Sequence, residues 1–233
     1  MPSSDEWPEV AGIRVDPDRL ARTGLPEVVW AEGKSDDQLM AAVDDLRRRS
    51  GMALVSRLAA ERAGSLALRS YDEVARVGLA GDPLPPCGGR IAIVTAGAAD
   101  RPVAREAAAA ASALGCDVRL DEDCGVAGLH RLAAPLAAIR DWPADVVVVV
   151  AGTDGALAGV VSGLVAAPVI AVPTSTGYGA GGRGEAALLT MLQACTGGVL
   201  VVNIDAGVPA GLSAARIARA AALARDAQSG LHH

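Results

Sequence analysis

Cys195 lies in Leu192-Gln193-Ala194-Cys195-Thr196-Gly197-Gly198, at the end of a predicted helix and just before the apolar run from Val199 to Ile204. A thiolate beside glycine-rich chain is the most capable nucleophile this sequence offers. Other catalytic equipment is sparse. His130 is the one histidine in the body of the chain; His232 and His233 belong to the terminal run Leu231-His232-His233. A Ser-His-Asp or Cys-His triad therefore has a single imidazole to draw on, and a multi-histidine metal site has none to spare. Taken alone, Cys195 reads equally as a nucleophile or as a small buried hydrophobe at a helix end.

Three turns rich in glycine and small residues are the other candidates. They are Thr95-Ala96-Gly97-Ala98-Ala99-Asp100, Ala151-Gly152-Thr153-Asp154-Gly155 and the stretch from Pro173 through Thr174, Ser175, Gly177, Tyr178 and Gly179 to Gly182. Turns of this kind let backbone N–H groups face an anion at a helix start, which suits phosphate and makes a nucleotide the natural ligand. Neither the dinucleotide fingerprint GxGxxG after the first strand nor the Walker phosphate loop is present, so an ordinary NAD-dependent dehydrogenase is disfavoured. Asp100 before Arg101-Pro102 also suits a helix N-cap, as does Asp154 before Gly155-Ala156-Leu157. Tyr178 either stacks on a substrate ring or covers the sheet edge.

The elements that must position these turns are legible after residue 90. Apolar, β-branched runs at Ile91–Thr95, Val118–Leu120, Val146–Val150, Val169–Val172 and Val199–Ile204 alternate with helical stretches at Ala107–Ala113, Leu129–Ile139, Leu157–Val165, Ala186–Leu192 and Ala214–Leu223. Val146 to Val150 carries no polar alternation, so both its faces are expected to be buried, as in a parallel sheet covered by helices. Right-handed crossovers then give an α/β, doubly wound, three-layer domain at 90–230, with ligands expected beyond the carboxyl ends of the strands. The stretch 81–89, Gly81-Asp82-Pro83-Leu84-Pro85-Pro86-Cys87-Gly88-Gly89, reads as a linker because it can continue neither regular structure. Ahead of it, residues 1–80 read as a small α+β region, too short to stand alone: an extended piece at Pro26–Trp30, a helix from Ser35 to Arg49 with a hydroxyl-then-acid start, and a strand at Met52–Val55. The charged stretch Asp44–Arg49 reads as a solvated helix face.

Composition narrows the function. The chain has 233 residues, 51% hydrophobic but 2% aromatic and without phenylalanine, so its core is aliphatic. A formal charge of −6 argues against a sequence-independent nucleic-acid binder. The opening Met1–Glu6 is polar and no apolar run reaches the roughly 20 residues that span a bilayer, so the expectation is a cytoplasmic protein without a membrane partner. Cys87, Cys116, Cys124 and Cys195 show neither a CxxC pair nor metal spacing and are expected to be free thiols.

Several long, mixed stretches resemble the PurE-like superfamily, and within it the LarB-type branch that makes the nickel-pincer nucleotide cofactor. They are Val94–Gly97 through Asp100, Gly125–Arg131, Gly155–Leu157, Pro168–Tyr178 and Cys195 through Asp205, with Asp16–Arg19, Arg22–Val29 and Glu32–Lys34 similar to that branch's first region. The resemblance implies a flavodoxin-like, PurE-like fold and a carboxylase/hydrolase acting on nicotinic acid adenine dinucleotide. C5 of the pyridinium ring would be carboxylated with CO2 or bicarbonate, and the phosphoanhydride hydrolysed to AMP, leaving pyridinium-3,5-biscarboxylic acid mononucleotide. It implies Cys195 as nucleophile, a homo-oligomer whose sites can border neighbouring subunits, and magnesium, for which the sequence offers Asp100 and Asp205 but no carboxylate cluster.

Asp154 is the candidate proton-handling carboxylate, with burial among glycines and aliphatics expected to favour its protonated form. Here the branch usually carries Glu, and Ala98 and Ala99 stand where hydroxyl residues are usual. An aminoimidazole ribonucleotide carboxylase or mutase is the runner-up, but its chemistry relies on a histidine where this chain has Ala156. Two other classes are a non-catalytic nucleotide-binding module, in which Cys195 is dispensable, and a flavodoxin-like electron carrier, which the scarcity of Tyr and Trp disfavours.

Overall fold

The computed structural model describes residues 9–230; the polar opening Met1–Glu6 and the run Leu231–His233 lie outside them. The chain divides between Leu84 and Pro85 into two compact units.

In the first unit, β1 (Glu9–Val10) and β2 (Ile13–Arg14) form a hairpin through Ala11 and Gly12, both with positive φ. Then follow α1 (Arg19–Thr23), β3 (Val28–Trp30), α2 (Asp36–Ser50), β4 (Met52–Ser56), α3 (Ala60–Ala63), β5 (Ser70–Asp72) and β6 (Val77–Gly81). The capping expected at Ser35 is a full capping box: Gln38 N donates to Ser35 Oγ and Ser35 N donates to Gln38 Oε1, each at 3.2 Å. Strands β3-β4-β6-β5 make a mixed sheet, on which α2 buries Leu39, Ala42, Val43 and Leu46. This region thus owns a core, larger than the sequence suggested, because β5 and β6 were not legible. Asp45 is a further correction: within the solvated helix face it is buried, and Arg48 and Arg49 pair with it at 3.4 and 3.6 Å.

The second unit is the doubly wound α/β domain. It runs β7 (Arg90–Thr95), α4 (Arg101–Ala113), β8 (Asp117–Asp121), α5 (Ala133–Asp141), β9 (Val146–Ala151), α6 (Ala156–Ser162), β10 (Val169–Pro173), α7 (Glu185–Leu192), β11 (Val199–Val201) and α8 (Gly207–Gly230). All pairings are parallel, in the order β11-β10-β9-β7-β8. That is the flavodoxin-like order, with its switch point between β7 and β9. All six residues of β9 are buried. Val147 and Val149 join Leu132, Ile139, Leu157 and Met191 in a core beneath α5, α6 and α7, while α4 and α8 cover the other face. Several boundaries differ from the sequence reading: α4 begins at Arg101 rather than Ala107, and α8 runs Gly207–Gly230 rather than Ala214–Leu223. The Leu129–Ile139 helix is a tight 3-10 run over Val126–Leu132 followed by α5, α6 stops at Ser162, and β11 ends at Val201 rather than Ile204. Among the described residues no helix is long and apolar enough to cross a membrane.

With no phenylalanine to fill space, α8 approaches α4 backbone to backbone. A Cβ on Gly207 would lie 2.3 Å from the Val103 carbonyl oxygen, and one on Gly211 would lie 2.2 Å from that of Ala107. The i, i+4 spacing on both helices makes this a continuous seam. Gly211→Ala is expected to lower the stability of this unit by about 1–3 kcal/mol through overpacking, read as a lower thermal or urea midpoint.

Candidate active site

A cleft of about 510 Å³ opens at the carboxyl ends of the strands, where β7 and β9 adjoin. Its walls come from the turns after β7, β8, β9 and β10. Of the residues singled out from sequence, Gly97, Asp100, Gly152, Thr153, Asp154, Gly177 and Tyr178 line it. Gly155, Thr174, Ser175, Gly179 and Cys195 do not. Gly155 caps α6 from a left-handed φ of 67°, Gly179 is exposed at φ 72°, and exposed Ser175 donates its N–H to Asp205 Oδ1 at 2.9 Å.

Asp100 holds the turns of the cleft together. It is 4% exposed, and both its carboxylate oxygens are engaged: Oδ1 accepts from Thr174 Oγ1 at 2.6 Å and Thr176 Oγ1 at 2.8 Å, and Oδ2 accepts from Gly97 N at 2.9 Å. A charged acceptor makes each of these bonds stronger than a neutral one. The buried carboxylate thus ties the turn after β7 to the turn after β10 across β9. Thr174 was expected at the substrate; its hydroxyl instead serves this network from complete burial. Gly152 must be glycine for the same closure, since a Cβ there would fall 2.1 Å from the Thr176 carbonyl oxygen.

The expected cradle of backbone N–H groups is largely turned inward. Gly97 N bonds Asp100, Thr153 N bonds the Thr176 carbonyl, Gly155 N bonds the Gly152 carbonyl, and Ala156 N bonds Asp154 Oδ1 at 3.1 Å. Arg131, which the sequence reading left out of the site, is the cation on the cleft wall, paired with Asp123 at 3.2 Å. Its signal was available, as a lone arginine in the turn after the second strand of a parallel sheet. An anionic ligand can exchange with Asp123 for this guanidinium, which binds phosphate well.

Asp154 departs from expectation in one respect. It is exposed at the cleft rim and caps the start of α6, so the expected desolvation is missing. An open rim still lets it accept a proton from a bound ligand. Thr153 beside it has φ 52°, an uncommon left-handed setting for a β-branched residue, held by its bond to Thr176. Tyr178 also lines the cleft and is 90% exposed, so its ring is accessible for stacking.

Cys195 stands elsewhere in the unit. It occupies the loop entering β11, where Gly198 O accepts from Val169 N at the start of β10, and it lines a separate groove with Ala156, Gly159, Val160 and Thr190. The first turn of α6 divides the two features: Leu157 faces the cleft and Ala156 the groove. All four cysteines are free, and Cys195 is the exposed one. Burial pushes the thiol of Cys124 up, and burial together with Cys87 pushes that of Cys116 up to about 12. The magnesium carboxylates expected from sequence do not fit that role. Asp100 is fully engaged, Asp205 accepts from Ser175 N, and no cluster of three or more His, Cys, Asp or Glu side chains forms among the described residues.

Asp100→Ala removes the acceptor shared by three donors and is expected to cost about 2–4 kcal/mol of stability, with Asp100→Asn less severe because one carbonyl oxygen can still accept from both threonines; chemical denaturation measures both. In the reduced protein near neutral pH, an alkylating reagent is expected to label Cys195 before Cys116 or Cys124, and peptide mapping over time checks the order.

The AIR carboxylase family matches residues 90–228, and the LarB/PurE-like N-terminal domain matches residues 8–80. An uncharacterized protein of Methanocaldococcus jannaschii is 34% identical over 229 residues, covering 89% of this chain and 84% of that one. The crystal structure of Treponema denticola PurE shares 19% identity with a TM-score of 0.45, covering 61% of this chain and 92% of that one. With a parallel five-stranded domain, a cleft at its switch point and a family match over most of that domain, the chain belongs to the AIR carboxylase family of carboxylase/mutase-type enzymes and carries a LarB/PurE-like N-terminal domain.

Proposed function

We propose that the chain carboxylates C5 of the pyridinium ring of nicotinic acid adenine dinucleotide and hydrolyses its phosphoanhydride, releasing AMP and pyridinium-3,5-biscarboxylic acid mononucleotide. The observation that carries this reading is the union, on one chain, of a LarB/PurE-like N-terminal domain with a carboxylase-family domain whose one exposed thiol is Cys195.

The ring sets the need for sulfur. A pyridinium carbon is electron-poor and cannot attack CO2. Addition of the Cys195 thiolate at C6 forms a C–S bond, breaks aromaticity and makes C5 an enamine-like nucleophile. C5 attacks CO2, a base takes the C5 proton, and the C–S electron pair returns to sulfur as aromaticity is restored. Asp154, exposed at the cleft rim, is the proton acceptor. Arg131 offsets phosphate charge, and Tyr178 stacks on a ring. Asp100 and Asp205, the carboxylates expected to hold magnesium, are engaged by the protein itself.

Within one copy, α6 separates Cys195 from the cleft, so the thiol serves the cleft of a neighbouring copy in a homo-oligomer. Leu189, Leu192 and Leu200, exposed at 56%, 61% and 53%, offer apolar surface on α7 and the edge strand β11 for such assembly. The second reading, aminoimidazole ribonucleotide carboxylation, is favoured by the match over residues 90–228. It is opposed by Ala156 in place of the needed histidine, and by His130, which is exposed and off the cleft wall.

Incubation with nicotinic acid adenine dinucleotide, magnesium and bicarbonate is expected to yield AMP and the dicarboxylated mononucleotide, with aminoimidazole ribonucleotide unchanged in a parallel reaction. Cys195→Ser is expected to lower turnover at least ~100-fold and Asp154→Ala about 10- to 1,000-fold. Co-refolded mixtures of these two variants are expected to regain activity, because a hetero-oligomer pairs an intact thiol with an intact cleft. Absence of both products with the unaltered protein rejects the assignment, and absence of regain in the mixture rejects the shared site.

A further inference from the structure

The thiols of Cys87 and Cys116 come from segments 29 residues apart, yet their sulfurs lie 3.5 Å from one another. Their backbones are fixed on both sides of the contact: Cys87 N donates to Gly115 O at 2.9 Å, and Asp117 N donates to Gly89 O at 2.9 Å. Gly88, between them, accepts from Arg225 Nη2 of α8 at 2.9 Å. This ladder continues the β7–β8 pairing, in which Arg90 is opposite Asp117. A disulfide bond needs sulfurs about 2.05 Å apart, a closing movement of under about 2 Å that side-chain rotation can supply without moving the main chain.

We propose that Cys87 and Cys116 form a redox modification site, a dithiol that an oxidised low-molecular-weight disulfide such as glutathione disulfide converts to an intramolecular disulfide.

The two sulfurs have different surroundings, which sets the order of events. Cys87 is partly exposed and meets the reagent; Cys116 is buried and sits against the Ala215 carbonyl of α8. The Cys87 thiolate attacks one sulfur of the reagent, forming a mixed disulfide and expelling one equivalent of reduced thiol. Cys116 then gives up its proton and attacks the Cys87 sulfur, closing the protein disulfide and expelling the second equivalent. Two protein thiols are oxidised, one reagent disulfide is reduced to two thiols, and the atoms and electrons balance. Burial opposes the Cys116 thiolate, whereas the Arg219 guanidinium on α8 favours it. Arg219 Nη1 is itself buried without a hydrogen-bond partner, a cation left available for that charge. The closed bond would fasten the segment entering β7 to the α4–β8 turn through a loop spanning α4.

The test exposes the full chain to glutathione disulfide and maps it by non-reducing tryptic mass spectrometry. The expected product joins fragment 77–90 to fragment 106–119 with the loss of two hydrogens. It is accompanied by a rise of several degrees in the thermal midpoint, and dithiothreitol reverses both. Cys87→Ser, at the more exposed position, is expected to lose the cross-link and the shift while Cys195 still forms its own mixed disulfide. A lasting glutathione adduct on Cys87 without closure, or both thiols unchanged while Cys195 reacts, overturns the proposal.

Discussion

A central strand with nothing polar on either face is the constraint from which the second unit follows. Every residue of β9, Val146 to Ala151, is buried, so helices must cover the sheet from both sides. The chain meets this demand by sending α4 and α8 to one face and α5, α6 and α7 to the other. Leaving β7 and β9 toward opposite faces opens the gap between the turns that follow them. The cleft is therefore a by-product of covering β9, and its chemistry depends on which small residues stand at the strand ends.

Asp100 turns that gap into a defined shape. Its three donors lie on two separate turns, and the carboxylate closes them around the end of β9. The cost of burying a charge is met by three hydrogen bonds rather than by a cation, and Arg131 on the cleft wall pairs with Asp123 instead. Cys195 is held differently, exposed in the loop after α7 and lining a groove with Ala156, Gly159, Val160 and Thr190. One copy of the chain thus keeps its cleft and its exposed sulfur on different sides of α6.

The sequence showed the second unit well because its signals were long. Uninterrupted valines at 146–150 and alanine-rich helical stretches leave few alternatives. Short elements escaped: α1 and α3 have five and four residues, and the five residues of β6 include Gly78 and Gly81, too little for any period to emerge. The glycine-rich turns were found, since small residues at strand ends have few other uses. The partners of those turns were not, because Thr174 and Asp100 are 74 residues apart and nothing local links them. Cys195 carried an overlooked signal. A loop that precedes a strand in a parallel sheet lies at the strands' amino ends, away from the ligand-binding edge.

The glycine seam between α4 and α8 sets a timetable for synthesis. Val103 and Ala107 meet Gly207 and Gly211, and the part of that face over β9 and β10, which α8 covers, stays bare until about a hundred further residues have left the ribosome. Until then the nascent chain shows an alanine-rich helix and the sheet face beside it to the surrounding cell. Any window for cellular chaperones on this face runs from the emergence of α4 to the arrival of α8.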